Sequence, residues 1–381
     1  MIYFDNSATT KPYKEVLDSF MKVSADFFAN PSSLHSFGGQ AEKLLTTARE
    51  QVAKLLNVKS GEIFFTSGGT ESNNLAIKGA AFQHRNRGRH IITTKIEHPS
   101  VRDAAAQLEN IGFKITYLPV DQSGRVSVSD VEQAIRKDTI LVSIMHVNNE
   151  VGTIQPIQEI GALLKDYPSI LFHVDAVQGI GKVPLSFSES GIDLCSISAH
   201  KVHGLKGTGA LYIREGVKLA PLFSGGNQER KLRSGTENVA GFVAMAKALR
   251  LMMMKRDTGV KSMKTINELL RYELAKIGGI TINSPVEHSA PHILNFSLRG
   301  IKSETFIHAL EQKDIFVSTT SACSSKKKAP SNTLLAMGVS EEMAESGIRL
   351  SLSFENTEQE AQKVIKAIGD TVNQLGKVMK K

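Results

Sequence analysis

The 381-residue sequence predicts an α/β fold, in which a mostly parallel central sheet is flanked by helices and followed by a smaller α+β C-terminal domain. Between about residues 38 and 256, segments with helical periodicity alternate with short, apolar, β-branched runs, a pattern typical of βα units. Several of these runs are apolar on both faces, as expected for strands that helices cover on both sides. After the Met-rich segment 252–254 the strands become fewer and shorter, which predicts the smaller domain.

The predicted elements follow in a regular order. A first helix is predicted over 38–56, where Leu45, Ala48 and Val52 lie on one face. The large sheet is predicted to contain strands at residues 62–66, 90–94, 114–120, 139–147, 169–174, 192–198 and 208–214. In the smaller domain, strands are predicted at 292–298, 315–318 and 347–354. The last helix is predicted over about 356–375, with Asn356 and Gln359 as its capping residues.

We expect two domains, a large one over residues 16–256 and a small one formed by residues 1–15 together with 257–381. Hydrophobic residues make up 41% of the chain and charged residues 22%, which is typical of a soluble globular protein. The N-terminal segment lacks the basic and then apolar pattern of a signal peptide, and the most apolar helical stretch, 239–254, is interrupted by two basic residues. We therefore expect a cytoplasmic protein that does not associate with membranes.

The charge balance is moderately basic, with 46 Lys and Arg against 38 Asp and Glu and a net charge of +8. The basic residues are spread along the chain, apart from patches at 85–89 and 326–328, so a solvated surface is the simpler interpretation. No RNA-recognition motif accompanies the basic patches. An RNA-binding protein that uses the basic patches is the alternative from another functional class. Because no such motif is present, we expect no direct, stable binding of nucleic acid.

A glycine-containing turn at residues 65–74 is the first candidate site. Gly68 and Gly69 lie between a short apolar strand and the helical run 75–82. Glycines let the backbone approach an anion, and a helix N-terminus supplies N–H groups with a favourable dipole. The turn lacks the spacing of a P-loop or of a dinucleotide-binding motif. It predicts a phosphate site, with an ordinary helix start as the alternative.

An acid and a lysine follow two further strands. Asp175 ends the strand predicted at 169–174, where an acid can keep a pyridine nitrogen protonated, although a turn or capping role is equally typical. Lys201 follows the strand at 192–198 beside His200, an environment typical of a Schiff-base amine, whereas most lysines are solvated. The succession of anion site, acid and lysine on strand ends favours the catalytic interpretation for Lys201.

The two cysteines lie in different contexts. Cys195 is inside the predicted apolar strand 192–198 and is interpreted as a buried structural thiol. Cys323 lies in a run of small, polar and basic residues, which predicts a mobile, solvent-accessible loop at about 318–332 whose lysines favour the thiolate. His200 and His203 have no Cys or acidic partners at ligand spacing, so we expect no stable metal site.

Taken together, these motifs resemble those of the cysteine desulfurases of the NifS/IscS type, in the class V aminotransferase family of pyridoxal-phosphate enzymes with the aspartate-aminotransferase-like fold. The motifs cover nearly the whole chain in the family's order. They are residues 3–10, 30–35, 66–74, 97–100, 146–152, 173–178, 198–201, 233–238 and 321–325, and Arg349.

The resemblance implies pyridoxal 5'-phosphate as cofactor and L-cysteine as substrate. It implies that Lys201 binds the cofactor as a Schiff base and that Asp175 pairs with the pyridinium nitrogen. His98 would stack on the ring and assist proton transfer, and Asn149 and Gln178 would contact the ring hydroxyl oxygen. These five side chains would form the ring-binding part of the site.

The resemblance also implies residues for the phosphate and the substrate. The phosphate would be held by Gly69, Thr70, Ser198 and His200, and by Thr236 from a second subunit, so a homodimer is expected. Arg349, assisted by Asn149, would bind the substrate carboxylate as a bidentate pair. An arginine at a strand end is, however, also typical of an ordinary ion pair.

Cys323 would accept the substrate sulfur as a persulfide and pass it to an acceptor protein. The resemblance allows a tRNA-thiolation enzyme or an iron–sulfur scaffold as acceptor, and in the second case Cys323 would transiently contact an iron–sulfur cluster. The rival enzyme is an aminotransferase or lyase of the same fold acting on another small amino acid, including selenocysteine, which would not need Cys323. The chain differs from the residues that are common in the family at Gly69, where Ala is usual, and at Leu205 and Thr320.

Overall fold

The computed structural model of the protein describes residues 1–319 and 330–378. Its helices are α1 (Lys14–Asp26), α2 (Ser36–Leu56), α3 (Gly69–His84), α4 (Pro99–Glu109), α5 (Val128–Ala134), α6 (Ile157–Leu164), α7 (Val239–Leu274), α8 (Ser303–Glu311), α9 (Asn332–Ala336), α10 (Glu341–Glu345) and α11 (Glu358–Val378). Its strands are β1 (Ile2–Tyr3), β2 (Ile63–Thr66), β3 (His90–Thr94), β4 (Lys114–Leu118), β5 (Thr139–Met145), β6 (Leu171–Asp175), β7 (Leu194–Ser198), β8 (Gly209–Ile213), β9 (Ile280–Ile282), β10 (Ile293–Leu298), β11 (Ile315–Phe316), β12 (Ser318–Thr319) and β13 (Gly347–Ser351). No helix in this part of the chain is long and apolar enough to cross a membrane.

The larger sheet has seven strands in the order β2-β8-β7-β6-β5-β3-β4. Only β8 is antiparallel to its neighbours, and β3, β5, β6, β7 and β8 are buried along their whole length. Leu141 packs with α3 and α4 on one face, whereas Val142 packs with α2, α6 and α7 on the other. The prediction of a mostly parallel sheet flanked by helices is therefore confirmed.

The parallel strands place their carboxyl ends at one edge of this sheet. Thr66 and Ser198, which end β2 and β7, both pair with Gly209 of the intervening β8. Met145 at the end of β5 pairs with Asp175 at the end of β6. The loops that follow these strands therefore meet at one edge, where ligands bind in open α/β sheets.

The smaller sheet is antiparallel, with strand order β12-β13-β10-β9, and β1 pairs separately with β11. Its apolar side chains form a second core with α7, α8 and α11, which includes Phe296, Phe306 and Ile348. Helix α7 is continuous and contributes to both cores, through Leu249 to the first and Ile266 to the second. The proposed domain boundary at 256/257 thus lies inside a helix.

The predicted cap of the last helix was wrong. Helix α11 begins at Glu358, and the reciprocal capping bonds join Thr357 and Glu360. The Thr357 N–H donates to the Glu360 carboxylate at 3.0 Å, and the Glu360 N–H donates to the Thr357 hydroxyl at 3.2 Å. Asn356 instead accepts a bond from the Ser353 N–H at 2.9 Å, because it belongs to the turn before the helix.

Candidate active site

A cavity of about 490 Å³ lies at the carboxyl edge of the large sheet. Ten of the predicted site residues line it, namely Gly69, Thr70, His98, Asn149, Asp175, Gln178, Ser198, His200, Lys201 and Arg349. Thr236 is exposed and is not among the residues that line this cavity. Cys323, the remaining predicted residue, lies outside the described residues.

One end of the cavity is formed by the turn between β2 and α3. Gly68 has a φ of +149°, a conformation that side chains disfavour, and α3 begins at the next residue. The Ser198 hydroxyl lies beside this turn, is buried and has no hydrogen-bond partner among the described residues. A helix N-terminus with an unpaired hydroxyl beside it suits a phosphate group.

Substituting Gly69 by Ala is expected to overpack this end of the cavity. A Cβ atom at Gly69 would lie 2.8 Å from Val177 Cγ2, and the branched valine has little rotamer freedom to move away. We expect Gly69→Ala to lower the free energy of unfolding by about 1–3 kcal/mol and to weaken cofactor retention. Urea unfolding and dialysis measure both effects.

The matched control for this prediction is Gly69→Ala in a Val177→Ala background, where the clashing methyl group is absent. In that background the added Cβ should lower the free energy of unfolding only slightly. An equal loss of stability in both backgrounds would contradict the proposed clash with Val177.

The carboxylate of Asp175 is held firmly at the base of the cavity. Its side chain is 6% exposed, and its two oxygens accept bonds from Asn73 Nδ2 at 2.7 Å and from the Val177 N–H at 3.0 Å. Asn73 Nδ2 also lies 2.9 Å from Ser100 Oγ. The sequence motif at 66–74 contained Asn73, but its pairing with an acid 102 residues away could not be read from it.

His98 is oriented by the first turn of α4. Its Nδ1 accepts from the Ser100 N–H at 3.2 Å and lies 2.8 Å from Ser100 Oγ. Because a main-chain N–H can only donate, Nδ1 is unprotonated and the neutral ring carries its proton on Nε2. Burial lowers the pKa of His98, opposed by the nearby Asp175, so the neutral form is favoured. Ser100 and Asn73 thus connect His98 to Asp175.

Lys201 lies in a short 3-10 turn, Ala199–Lys201, that directly follows β7. Its Nζ donates to the main-chain oxygens of Ser7 and Ala8, the second at 2.7 Å. Gln178 Nε2 donates to the same Ser7 oxygen at 3.0 Å, which leaves Gln178 Oε1 buried and unpaired within the described structure. The N-terminal turn therefore forms one wall of the site, a role that the sequence did not indicate.

His200 is a neutral ring in this site. Its Nδ1 lies 3.2 Å from Thr9 Oγ1, and its main-chain oxygen accepts from the Thr10 N–H at 2.8 Å. Burial lowers its pKa to about 4, and the charges of Lys201 and Lys206 act in the same direction. At neutral pH this ring can donate one hydrogen bond without carrying charge.

Arg349 forms the ion pair that was the alternative interpretation of its sequence position, and it also lines the cavity. It is 4% exposed in β13, and its Nη2 forms an ion pair with Asp5 at 2.9 Å while Nη1 donates to the Asn149 main-chain oxygen at 2.8 Å. Its Nε is buried without a partner in the described ranges. An arginine has five N–H donors, so Arg349 keeps donors for a ligand carboxylate while Asp5 fixes its position.

Glu97 is a buried acid that the sequence analysis did not single out beyond its motif. Its Oε1 accepts from Thr94 Oγ1 at 2.8 Å and from the Met145 N–H at 3.1 Å. Burial raises its pKa from 4.5 to about 8. Between pH 4.5 and about pH 8 the folded protein holds a proton on Glu97 that the unfolded chain releases. This group therefore makes the free energy of unfolding fall as pH rises.

We therefore expect Glu97→Gln to flatten the pH dependence of stability. The wild-type slope from this group is about 1.4 kcal/mol per pH unit between about pH 5 and pH 8, and the amide removes it. Urea unfolding of the cofactor-free protein across this range measures the difference. Glu50→Gln, which changes an exposed acid, should leave the slope unchanged; an unchanged slope in Glu97→Gln would contradict the assignment.

The other predicted features lie outside the cavity. Cys195 is completely buried in β7, which confirms its interpretation as a structural thiol, and burial raises its pKa well above the usual value. His203 stacks on Tyr13 with ring centroids 4.3 Å apart. Within residues 1–319 and 330–378, no three His, Cys, Asp or Glu side chains are grouped as metal ligands.

The chain is similar to known proteins over almost its whole length. Residues 2–364 match the family described as aminotransferase class-V. A NifS/IcsS protein homolog from Lactobacillus delbrueckii subsp. bulgaricus is 50% identical, with 99% of both chains covered. The cysteine desulfurase IscS of Dictyoglomus turgidum is 46% identical, covering 94% of this chain and 91% of that one. A solved NifS-like protein superposes with a TM-score of 0.92 at 41% identity, covering 98% of this chain and 99% of the other.

The cavity also fits the cofactor of these enzymes. Two polar atoms at its wall, Ser198 Oγ and Gln178 Oε1, are buried and have no partner in the part of the chain that the structure describes, and they lie beside a helix N-terminus suited to a phosphate. The Lys201 amine and the Asp175 carboxylate face the same space, as an aldehyde and a pyridine nitrogen require. Sequence, fold and cavity agree: the chain belongs to the class-V aminotransferase family and, within it, to the pyridoxal-phosphate-dependent cysteine desulfurases of the NifS/IscS type.

Proposed function

We propose that this chain converts L-cysteine to L-alanine, that Lys201 is the residue that binds pyridoxal phosphate covalently, and that Cys323 receives the sulfur as a persulfide. The observation that carries the proposal is the convergence of ten predicted residues, from Gly69 to Arg349, on one cavity. These residues come from distant parts of the sequence and have complementary chemistry: an amine, an acid, an anion site and a guanidinium group.

The proposed cofactor contacts follow from the cavity. The phosphate is assigned to the N–H groups at Gly69 and Thr70 and to the side chains of Ser198 and His200. Asp175, fixed by Asn73, is assigned to the ring nitrogen. Asn149 and Gln178 are assigned to the ring hydroxyl group, since both line the cavity and Gln178 Oε1, which has no other described partner, can accept a hydrogen bond from a hydroxyl. Bound in this way, the cofactor supplies a ring that stabilises negative charge at the substrate carbon.

The protein's own groups position the substrate and move protons. We assign the substrate carboxylate to Arg349, whose Asp5 and Asn149 contacts hold the guanidinium group in place. Proton transfer at the substrate Cα is assigned to the Lys201 amine, assisted by His98, whose neutral ring carries a proton on Nε2.

Sulfur transfer is assigned to Cys323. Its thiolate attacks the substrate sulfur, so that a sulfur–sulfur bond forms, the carbon–sulfur bond breaks, and the bond electrons remain with the substrate carbon, which is then protonated. The net change is cysteine plus enzyme thiol to alanine plus enzyme persulfide, without an external oxidant or reductant. The acceptor of the persulfide sulfur is proposed to be a protein, either a tRNA-thiolation enzyme or an iron–sulfur scaffold.

We further propose that the active form is a cytoplasmic homodimer. Thr236 is exposed and lies outside the cavity of its own chain, so a contact between Thr236 and a phosphate in such a cavity requires a second subunit. The Arg233–Glu71 ion pair, 2.8 Å long, holds the segment before Thr236 against the first turn of α3. This arrangement supports a subunit contact near the phosphate end of the site.

The experiment that tests the proposal follows three products in one sample. Purified protein with pyridoxal phosphate is given L-cysteine, and the visible absorption, the alanine formed and the sulfide released by a thiol reductant are measured. We expect equal amounts of alanine and sulfide. Cysteine consumption without alanine, or a protein that cannot take up the cofactor, would overturn the proposal.

A further inference from the structure

A second lysine lies behind the site and has no part in the mechanism above. Lys182 follows the turn after β6, is 4% exposed, and its Nζ donates to the main-chain oxygen of Lys201 at 3.1 Å. No carboxylate lies within ion-pair distance of Lys182 among the described residues. The only described hydrogen-bond partner of its side chain is the backbone of the lysine that we assign to the cofactor.

The surroundings of Lys182 make its burial costly. Burial lowers its pKa to about 7, and the charge of Lys201 acts in the same direction. The titratable groups that face it are Lys201 and three histidine rings. Burial lowers the pKa of the His200, His203 and His292 rings, and the charge of Lys182 acts in the same direction. No described carboxylate forms an ion pair with Lys182, and an apolar side chain would fill this space at a lower cost in free energy. Neither an ion pair nor packing therefore accounts for a lysine at this position.

Lys201 is held from two sides in this arrangement. Its main-chain oxygen is bound by Lys182, and its amine is bound by the main-chain oxygens of Ser7 and Ala8. The turn that carries it, Ala199–Lys201, is only three residues long and is followed by a residue with non-helical geometry. A small rotation of this turn would redirect the amine, so a bond to its last carbonyl fixes the direction of the side chain.

We propose that Lys182 is a positioning residue for Lys201: its Nζ donates to the carbonyl of the turn so that the Lys201 amine points into the cavity, and the charge that Nζ carries when protonated disfavours a second positive charge on that amine. This inference rests on the proposed role of Lys201. It adds a buried amine, with no acid beside it among the described residues, to the groups that set the properties of the cofactor-binding lysine.

Three variants separate the hydrogen bond from the charge. Lys182→Met removes both, Lys182→Gln keeps a donor without charge, and Lys182→Arg keeps both in another shape. Lys165→Met, at an exposed position, is the control for loss of one positive charge. The readouts are kcat and KM separately, the pH at which the visible band of the bound cofactor titrates, the cofactor dissociation rate, and urea unfolding of the cofactor-free protein.

We expect Lys182→Met to lower kcat by roughly 10- to 100-fold with a smaller change in KM, because the amine is misplaced. Its visible band should titrate at a pH at least roughly half a unit higher, because a nearby cation no longer opposes protonation. Lys182→Gln should show the same spectral shift with a smaller loss of kcat, and Lys182→Arg should restore the titration toward wild type. The cofactor-free Lys182→Met protein should be at least as stable as wild type.

Wild-type kcat, titration and cofactor dissociation in both the Met and Gln variants would overturn the inference. So would a loss of kcat that only follows a loss of stability of the cofactor-free protein, since that indicates a structural role. If Lys182→Met does not fold, the Gln variant still decides between these outcomes. Failure of the proposed function is recognised separately, because it would appear as an inactive wild type or as a Lys201→Ala protein that keeps the visible band.

Discussion

Lys201→Ala is expected to abolish alanine formation from cysteine, with kcat lowered by about 10⁴-fold or more. The variant loses the amine that binds the cofactor and the same group that moves a proton at the substrate Cα, so two large contributions disappear together. The substitution removes contacts to Ser7 and Ala8 but leaves the helix entry, Asp175 and Arg349 in place. Alanine formation and the visible spectrum of the reconstituted protein measure the effect.

The control for this variant is Lys165→Met, which changes an exposed lysine at the end of α6 and should keep full activity. Urea unfolding shows whether Lys201→Ala keeps the fold. A folded Lys201→Ala protein that still forms alanine at a tenth of the wild-type rate would rule out Lys201 as the cofactor-binding residue.

Cys323→Ala is expected to separate cofactor chemistry from sulfur transfer. The variant keeps every described residue of the cavity, so cofactor binding and the spectral response to cysteine should be unchanged. Alanine formation should fall by at least about 100-fold, because the nucleophile that takes the substrate sulfur is missing. Parallel measurement of the spectrum and of alanine distinguishes the two steps.

The matched control is the other cysteine. Cys195→Ala removes a buried thiol from β7 and should cost about 1 kcal/mol of stability through the small cavity left behind, with little change in activity. If Cys323→Ala instead turned cysteine into alanine at the wild-type rate, with the thiol reductant of the assay releasing the sulfur as sulfide, the chain would act as a lyase of the same fold.

Much of the fold could be predicted because its signals are local. The strand at 90–94 was predicted with the bounds that β3 has, and the burial of β5 on both faces follows from a run of apolar residues. The cap of α11 was misplaced by one residue position because Asn356 and Thr357 are both good capping residues, and they differ in that the Glu360 N–H donates to the Thr357 hydroxyl.

The identities of the site residues could be predicted more completely than the contacts between them. Motifs at strand ends identified Asp175 and Lys201, since parallel strands bring their carboxyl ends to one edge. The contacts that orient these side chains join segments far apart in the chain, such as Asn73 with Asp175 and Ser7 with Lys201. No periodicity or spacing encodes such pairs, and Lys182 in particular carries no local signal of its bond to the Lys201 carbonyl.

The most direct test of sulfur transfer to Cys323 is the mass of the peptide that contains this residue after reaction of the cofactor-loaded protein with L-cysteine, without reductant or acceptor. We expect a gain of one sulfur atom on Cys323, in an amount equal to the alanine formed, and no such gain on Cys195 or in the Lys201→Ala protein. Alanine formed over many turnovers while the Cys323 peptide keeps its original mass would contradict the transfer of sulfur to Cys323.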